Sequence, residues 1–265
     1  MSALPLLRRT IWSSRRSVIL WSVGLLAALG LYLPLYPSIG GNAQMRQLIA
    51  NLPPALVKAI GYEHLTTGAG YTQSTFFGLL GFVLFTIAAV AWGTAAIAGE
   101  EESGALELTL AHAVTRTQVV LEQAGAVALR LLVLAAVSFL GVLVLNGPSQ
   151  TGIDAGKLLA ASVALLGLAL LIAFAALAGG ALTGRRSVAL GAGAGVAVIS
   201  YVLNAVASQS ADLDGLHAYS PYAWAFGNSP LTQGADWGGL ALLYGGVVLL
   251  LALAVVGLRR RDVGV

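Results

Sequence analysis

Residues 75–98, TFFGLLGFVLFTIAAVAWGTAAIA, carry no charge, and the stretch directly behind them, Gly99 to Leu108 or GEEESGALEL, carries four carboxylates. As a helix the apolar run rises about 36 Å at about 1.5 Å per residue, enough to cross a hydrocarbon layer about 30 Å thick. A spanning helix that ends in a polar elbow at one membrane face is the reading that decides the fold class.

The rest of the chain supports it. Of 265 residues, 58% are hydrophobic and only 9% charged, whereas a soluble domain carries about a quarter charged residues. That composition excludes a large soluble domain, and the 33 glycines suit tightly packed membrane helices. There is no cysteine, so disulfides, thiolate metal sites and a cysteine nucleophile are excluded.

Six stretches are long and apolar enough to span, at about 17–36, 75–98, 124–145, 158–182, 188–207 and 237–257, in one six-span unit over 1–265. The first is not a cleavable signal, because its apolar run is too long and ends in Pro34 and Pro37 without a small-x-small site. Arg8, Arg9, Arg15, Arg16, Arg116, Arg185, Arg186, Arg259, Arg260 and Arg261 share one face, against Arg46, Lys58 and Lys157 on the other. The positive-inside rule then puts both termini, 99–123 and 183–187 in the cytoplasm of a multi-pass cell-membrane protein, with 37–74, 146–157 and 208–236 outside. Trp12, Trp21, Tyr32, Tyr36, Tyr71, Trp92, Trp237 and Tyr244 fall near the expected interfaces. The pairs Gly180/Gly184 and Gly191/Gly195 have the spacing of close helix contacts.

In the acidic stretch, Ser103 and Gly104 end or bend the helix that enters it. A short helix follows, with Leu106, Leu110 and Ala113 on one face and Glu107 in its first turn, where the helix dipole favours a carboxylate. Thr115-Arg116-Thr117-Gln118 has the form of a capping box, stapled by Val114 and Val119, and starts the next helix. Charge patterning leaves two readings open: a docking element, or a solvated helix end that marks the edge of the bilayer.

The chemistry that is missing narrows the function. No G-x-x-x-x-G-K-[ST] run exists to hold ATP phosphates, and no H-E-x-x-H or G-x-S-x-G motif is present. His64, His112 and His217 are scattered over loops, and no His or Asp within a span could serve Ser149 or Ser200. The chain is therefore expected to have no catalytic site and no metal. Arg130 is the clear charge within a span, read as snorkelling to the near interface with Glu122 two turns before it. The lack of an intramembrane carboxylate counts against an ion-coupled carrier. Tyr201, Asn204 and Ser200 are candidates to line a pathway or to bond between helices. Residues 48–60, around Pro53 and Pro54, and 213–224 suit short surface or re-entrant helices.

The elbow resembles the membrane subunits of type-2 ATP-binding-cassette exporters, which carry E-x-x-x-G-T-L-E-L and then P-[VI]-S-R after the second of six spans. Here the matching residues are Glu100, Gly104, Ala105, Leu106, Glu107 and Leu108, then Ala113, Val114, Thr115 and Arg116, with Ala105, Ala113 and Thr115 standing for the family's Thr, Pro and Ser. Tyr219-Ser220-Pro221-Tyr222-Ala223-Trp224 resembles the family's outer S-P-aromatic element, and Arg259-Arg260-Arg261-Asp262-Val263-Gly264 its closing motif.

The resemblance implies an all-α integral membrane protein of six transmembrane helices, with a cytoplasmic coupling helix between the second and third and short outer helices before the last. It implies a permease that binds no cofactor itself, with ATP and Mg held by a separate ATPase subunit. Two ATPase copies would pair with two permease chains, identical or homologous, to export a hydrophobic drug, antibiotic or lipid. Glu100, Glu101, Glu102, Gly104, Leu106, Glu107, Leu110 and Arg116 would carry coupling, the acids meeting Arg or Lys of the ATPase and Leu106 and Leu110 filling its groove. Thr115 and Gln118 would cap the next helix, and Tyr219, Ser220, Pro221, Tyr222 and Trp224 would form the outer element. The competing classes are a membrane scaffold whose elbow binds another partner and, more weakly, an ion-coupled carrier. No nucleic-acid partner is implied.

Overall fold

A computed structural model describes residues 5–39, 67–111 and 114–261 of the chain. The amphipathic segment 48–60 and Arg46, His64, His112, Ala113 and the last four residues lie outside the described residues. Among those described there is no strand, and six helices are long and apolar enough to cross a membrane: Thr10–Ser38, Gly68–Glu102, Arg116–Asn146, Ala155–Thr183, Arg186–Ala207 and Trp237–Arg260. The protein is an all-α membrane protein.

The elements in chain order are α1 (Pro5–Tyr32, extended by a turn over Tyr36–Ile39), α2 (Gly68–Glu102) and the short α3 (Ala105–Leu110). Then come α4 (Arg116–Asn146), α5 (Ala155–Thr183) and α6 (Arg186–Ala207). Last are α7 (Pro221–Phe226), α8 (Pro230–Gln233) and α9 (Trp237–Arg260), with a 3₁₀ stretch at Ala211–Tyr219 before α7. The long helices run past the apolar stretches because polar caps fix their ends. Asp154 accepts from Lys157 N at 3.0 Å and Asp236 from Gly239 N at 3.1 Å, each satisfying an orphan donor of the first turn.

The two ends of the bundle are distinct. One, the terminal end, gathers the end of α1 that bears Pro5, the α2–α3–α4 elbow, the α5–α6 link and the last turn of α9. The far end carries the α4–α5 turn, organised by the Asn146 side chain, which accepts from Ile153 N at 2.9 Å and donates to Ile153 O at 2.9 Å. It also carries the hairpin of α7 and α8.

α5 is the hub. Its apolar window is 78% buried, against 17% for α1 and 22% for α6 and α9, so α5 packs on α2, α4, α6 and α9 while the outer helices leave a face for lipid. Backbones meet closely where glycine stands. A Cβ at Gly93 would lie 2.3 Å from Ala173 O, and one at Gly193 would lie 2.9 Å from the Ala176 Cβ. Of the glycine pairs named from spacing, Gly180 packs on Ala98, but Gly184 caps α5, and Gly191 and Gly195 face open space. The contact face of α6 is carried by Gly193, between them. Spacing alone could not tell which alternate small residue points inward.

α2 is irregular. Two π-helical segments, Gln73–Gly81 and Ala95–Gly99, interrupt it near the far end and just before the acids. Such turns widen the ladder and free backbone groups for other partners. Trp92 of α2 is 6% exposed and faces the bundle interior: its Nε1 donates to Ser17 Oγ at 3.2 Å, and its ring takes the Arg130 guanidinium at 5.2 Å. Arg130 in turn is 8% exposed and donates from Nε to Ala126 O at 3.0 Å. The cation is held inside the bundle by a cation–π contact, which is stronger where the pair is shielded from solvent.

Candidate functional site

The elbow is built by three acids that diverge. Successive helix residues project about 100° apart, so Glu100, Glu101 and Glu102 at the end of α2 point to three different helices. Glu100 Oε1 accepts from Gln123 Nε2 of α4 at 2.7 Å. Glu101 faces Arg261, past the end of α9, in a two-point ion pair with Nη1 to Oε1 at 2.9 Å and a second bond from Nη2 to Oε2. Glu102 Oε1 accepts from the backbone N of Arg186 at 3.1 Å, at the first turn of α6, where a carboxylate meets the positive end of the helix dipole.

Two glycines shape this cluster. Gly104 has φ +73 and donates from N to Glu101 O at 2.9 Å, closing α2 in the left-handed conformation and turning the chain into α3. Gly184 has φ +70 and caps α5; a Cβ there would lie 2.0 Å from Arg261 Nη1 and 2.6 Å from Glu101 Oε1. The ion pair therefore packs directly on the α5–α6 link.

Arg116 completes the clasp from below. Its Nη1 donates to Leu258 O at 3.2 Å and also to Arg261 O, so the first residue of α4 ties down the carbonyls that end α9. Thr115 Oγ1 accepts from Gln118 N at 3.2 Å and caps α4. The reciprocal half of a capping box is not made, because the Gln118 amide donates to Glu122 Oε1 at 2.7 Å instead.

α3 corrects one expectation. Leu106 is fully buried in the chain's own core and Leu110 is half-buried against it, so neither side chain is free to fill a partner's groove. A helix lying flat on a bundle must spend one apolar face on its own protein. The outward face offers Glu107, exposed, and Leu108, 69% exposed.

At the far end, the outer element hangs on α2. Ser220 accepts from Ala223 N at 3.1 Å, Pro221 takes the first position of α7, and Ser220 Oγ donates to Ser200 O at 2.6 Å. The Tyr222 hydroxyl donates to Gly78 O at 2.8 Å, a carbonyl inside the π-helical stretch, and Gln73 Oε1 accepts from Leu231 N at 3.1 Å. Trp224 Nε1 donates to Ala218 O at 2.9 Å, while Tyr219 stands 73% exposed. Tyr201, Phe82 and Phe226 surround the Tyr222 ring with centroids 5.2–5.3 Å from it. Of the pathway candidates, Tyr201 and Asn204 line a cavity of about 550 Å³ beside this element. Ser200 is buried, its hydroxyl donating to Ala197 O at 2.8 Å.

Sequence reading passed over Gln73 and Gln123, and took Gly184 for a helix contact where it is the cap that packs on the Glu101–Arg261 pair. The signal was present in the first two, as amides at positions facing a bundle interior, where an unpaired polar group is costly. Among the described residues no three His, Asp or Glu side chains gather as metal ligands would.

A family model described as ABC-2 family transporter protein matches residues 6–263, nearly the whole chain. A comparison with curated proteins gives no significant match. The chain belongs to the ABC-2 transporter family: it is a membrane permease component, distinct from the ABC ATPase with which such components associate.

Proposed function

We propose that this ABC-2 family permease forms half of an export pathway and receives the work of a separate ATPase through α3. The observation that carries the reading is the divergence of the three acids. Because Glu100, Glu101 and Glu102 each grip a different helix, a displacement of α3 reaches α4, α9 and α6 together. A solvated helix end would need no such set of partners.

In this reading the docking surface is Glu107 and Leu108, and the acids of α2 act behind it as transmitters. Gly104 allows the bend and Arg116 fixes the base of α4 to the end of α9. Both termini and the elbow are cytoplasmic, on the strength of the arginine bias. ATP and Mg bind the partner, since the chain has no phosphate-binding loop. The assembly holds two permease chains, identical or homologous, and two ATPase chains, and its cargo is a hydrophobic drug, antibiotic or lipid.

The test is purification of the tagged full chain in mild detergent with identification of what accompanies it and an ATP hydrolysis assay. An ATPase subunit should co-purify with the native chain and be lost when Glu107 is replaced by Lys and Leu108 by Asp together. If a folded native chain brings down no ATPase, the coupling reading fails and a scaffold role takes its place.

A further inference from the structure

The cavity beside the outer element has a chemistry of its own. It occupies about 550 Å³ between the first turns of α2, the last turns of α6 and the α7–α8 hairpin, and among the described residues none of its lining side chains is Asp, Glu, Lys or Arg. The polar groups are amides, hydroxyls and one imidazole, set against the rings of Tyr201 and Tyr222. Gln73 is 7% exposed and its Oε1 is taken by Leu231 N, which leaves its amide N–H groups without a hydrogen-bonding partner among the described residues. The Asn204 carboxamide likewise has no partner among them. The His217 ring is turned to Asp214 at 3.1 Å and Ser208 at 3.4 Å.

These features discriminate between ligands. A phosphate, carboxylate or ammonium group would lose water without meeting a counter-charge on the described lining residues, and a bare hydrocarbon would leave the Gln73 and Asn204 amides unsatisfied; both are costly. A sugar ring fits both demands. Its vicinal hydroxyls pair with carboxamides, which offer donors and an acceptor side by side, and a C–H face lies on the exposed ring of Tyr201. Val198, Ile199 and Val202 of α6 are 60%, 60% and 49% exposed next to Tyr201, a path for an attached alkyl chain into the lipid.

We propose that this cavity binds the neutral, hydroxyl-rich head of a glycosylated amphiphile. As a cargo site it rests on the transport reading, but binding itself needs no ATPase, so the two fail separately. The experiment uses the full chain extracted into copolymer nanodiscs, without glycoside detergent, and measures binding of dodecyl maltoside, free maltose and dodecylphosphocholine below their micellar concentrations.

Dodecyl maltoside should bind saturably, and Asn204→Leu, which breaks no side-chain hydrogen bond among the described residues, should weaken it about tenfold, the loss of one hydrogen-bonding group to the ligand. Tyr201→Leu should weaken it independently while the thermal midpoint of each variant stays near the native value. Free maltose sensitive to the same substitutions would mark a soluble sugar as the source, and insensitivity to free maltose a lipid-linked one. Equal binding of dodecylphosphocholine, or maltoside binding untouched by Asn204→Leu in a folded protein, overturns the proposal.

Discussion

Glu101 at the end of α2 and Arg261 beyond α9, 160 positions apart, close the bundle's terminal end with a two-point ion pair whose side chains are only 16% and 20% exposed. Exposed pairs are worth little, but one shielded from water and held at two points is coupled more strongly. A double-mutant cycle of Glu101→Gln and Arg261→Gln should give a coupling energy of about 1–3 kcal/mol in thermal or denaturant unfolding in detergent. Additive effects of the two substitutions would mean that the pair contributes nothing. If the transmission reading holds, each single variant also lowers transport-linked ATP hydrolysis while the ATPase still co-purifies.

Gly104 and Gly184 share a left-handed backbone but differ in their surroundings. A Cβ at Gly104 meets nothing within 4 Å, so Gly104→Ala should cost only the conformational term, about 1–2 kcal/mol. Gly184→Ala adds a clash with Arg261 Nη1 and Glu101 Oε1 and should be clearly more destabilising. Thermal unfolding of both variants decides it, and equal losses would show that the ion pair yields at no cost. A bulky residue at Gly104 should leave insertion intact and abolish ATPase stimulation.

What the sequence made legible was whatever periodicity or a local cap dictates. Apolar runs of spanning length define the helices, and Thr115 and Gly104 act through hydrogen bonds to residues three positions away. What it hid depends on rotation of one helix against another. Glu101 meeting Arg261, Gly193 taking the contact that Gly191 and Gly195 do not, and Trp92 turning inward to Arg130 are long-range outcomes. Leu106 and Leu108 are the sharpest instance: two leucines two positions apart on a short helix, one wholly buried and one largely exposed. Composition cannot say which of them a partner would meet.

The membrane orientation is open to a direct check because the native chain has no cysteine. Ser103 in the elbow and Gln209 beyond α6 are both exposed and lie at opposite ends of the bundle. With both termini cytoplasmic, a membrane-impermeant maleimide added to intact cells should label Gln209→Cys and leave Ser103→Cys unlabelled until the membrane is opened. The reverse pattern would invert the orientation and remove the elbow from any cytoplasmic ATPase.

The two leucines of α3 separate folding from coupling. Leu106 is fully buried, so Leu106→Ala should cost about 2–5 kcal/mol through lost transfer energy and the cavity left behind. Leu108 is 69% exposed, so Leu108→Asp should change stability by only about 0.5 kcal/mol, as surface substitutions do. Its effect should fall on the partner instead, because a carboxylate placed at the centre of an apolar contact loses water without gaining a bond. Co-purification of the ATPase and stimulation of its ATP hydrolysis by the permease should both drop at least tenfold with Leu108→Asp, with the thermal midpoint unchanged. Were Leu108→Asp to keep full stimulation while Leu106→Ala merely unfolds the chain, the outward face of α3 would not be the docking surface, and the acids behind it would be structural ties alone.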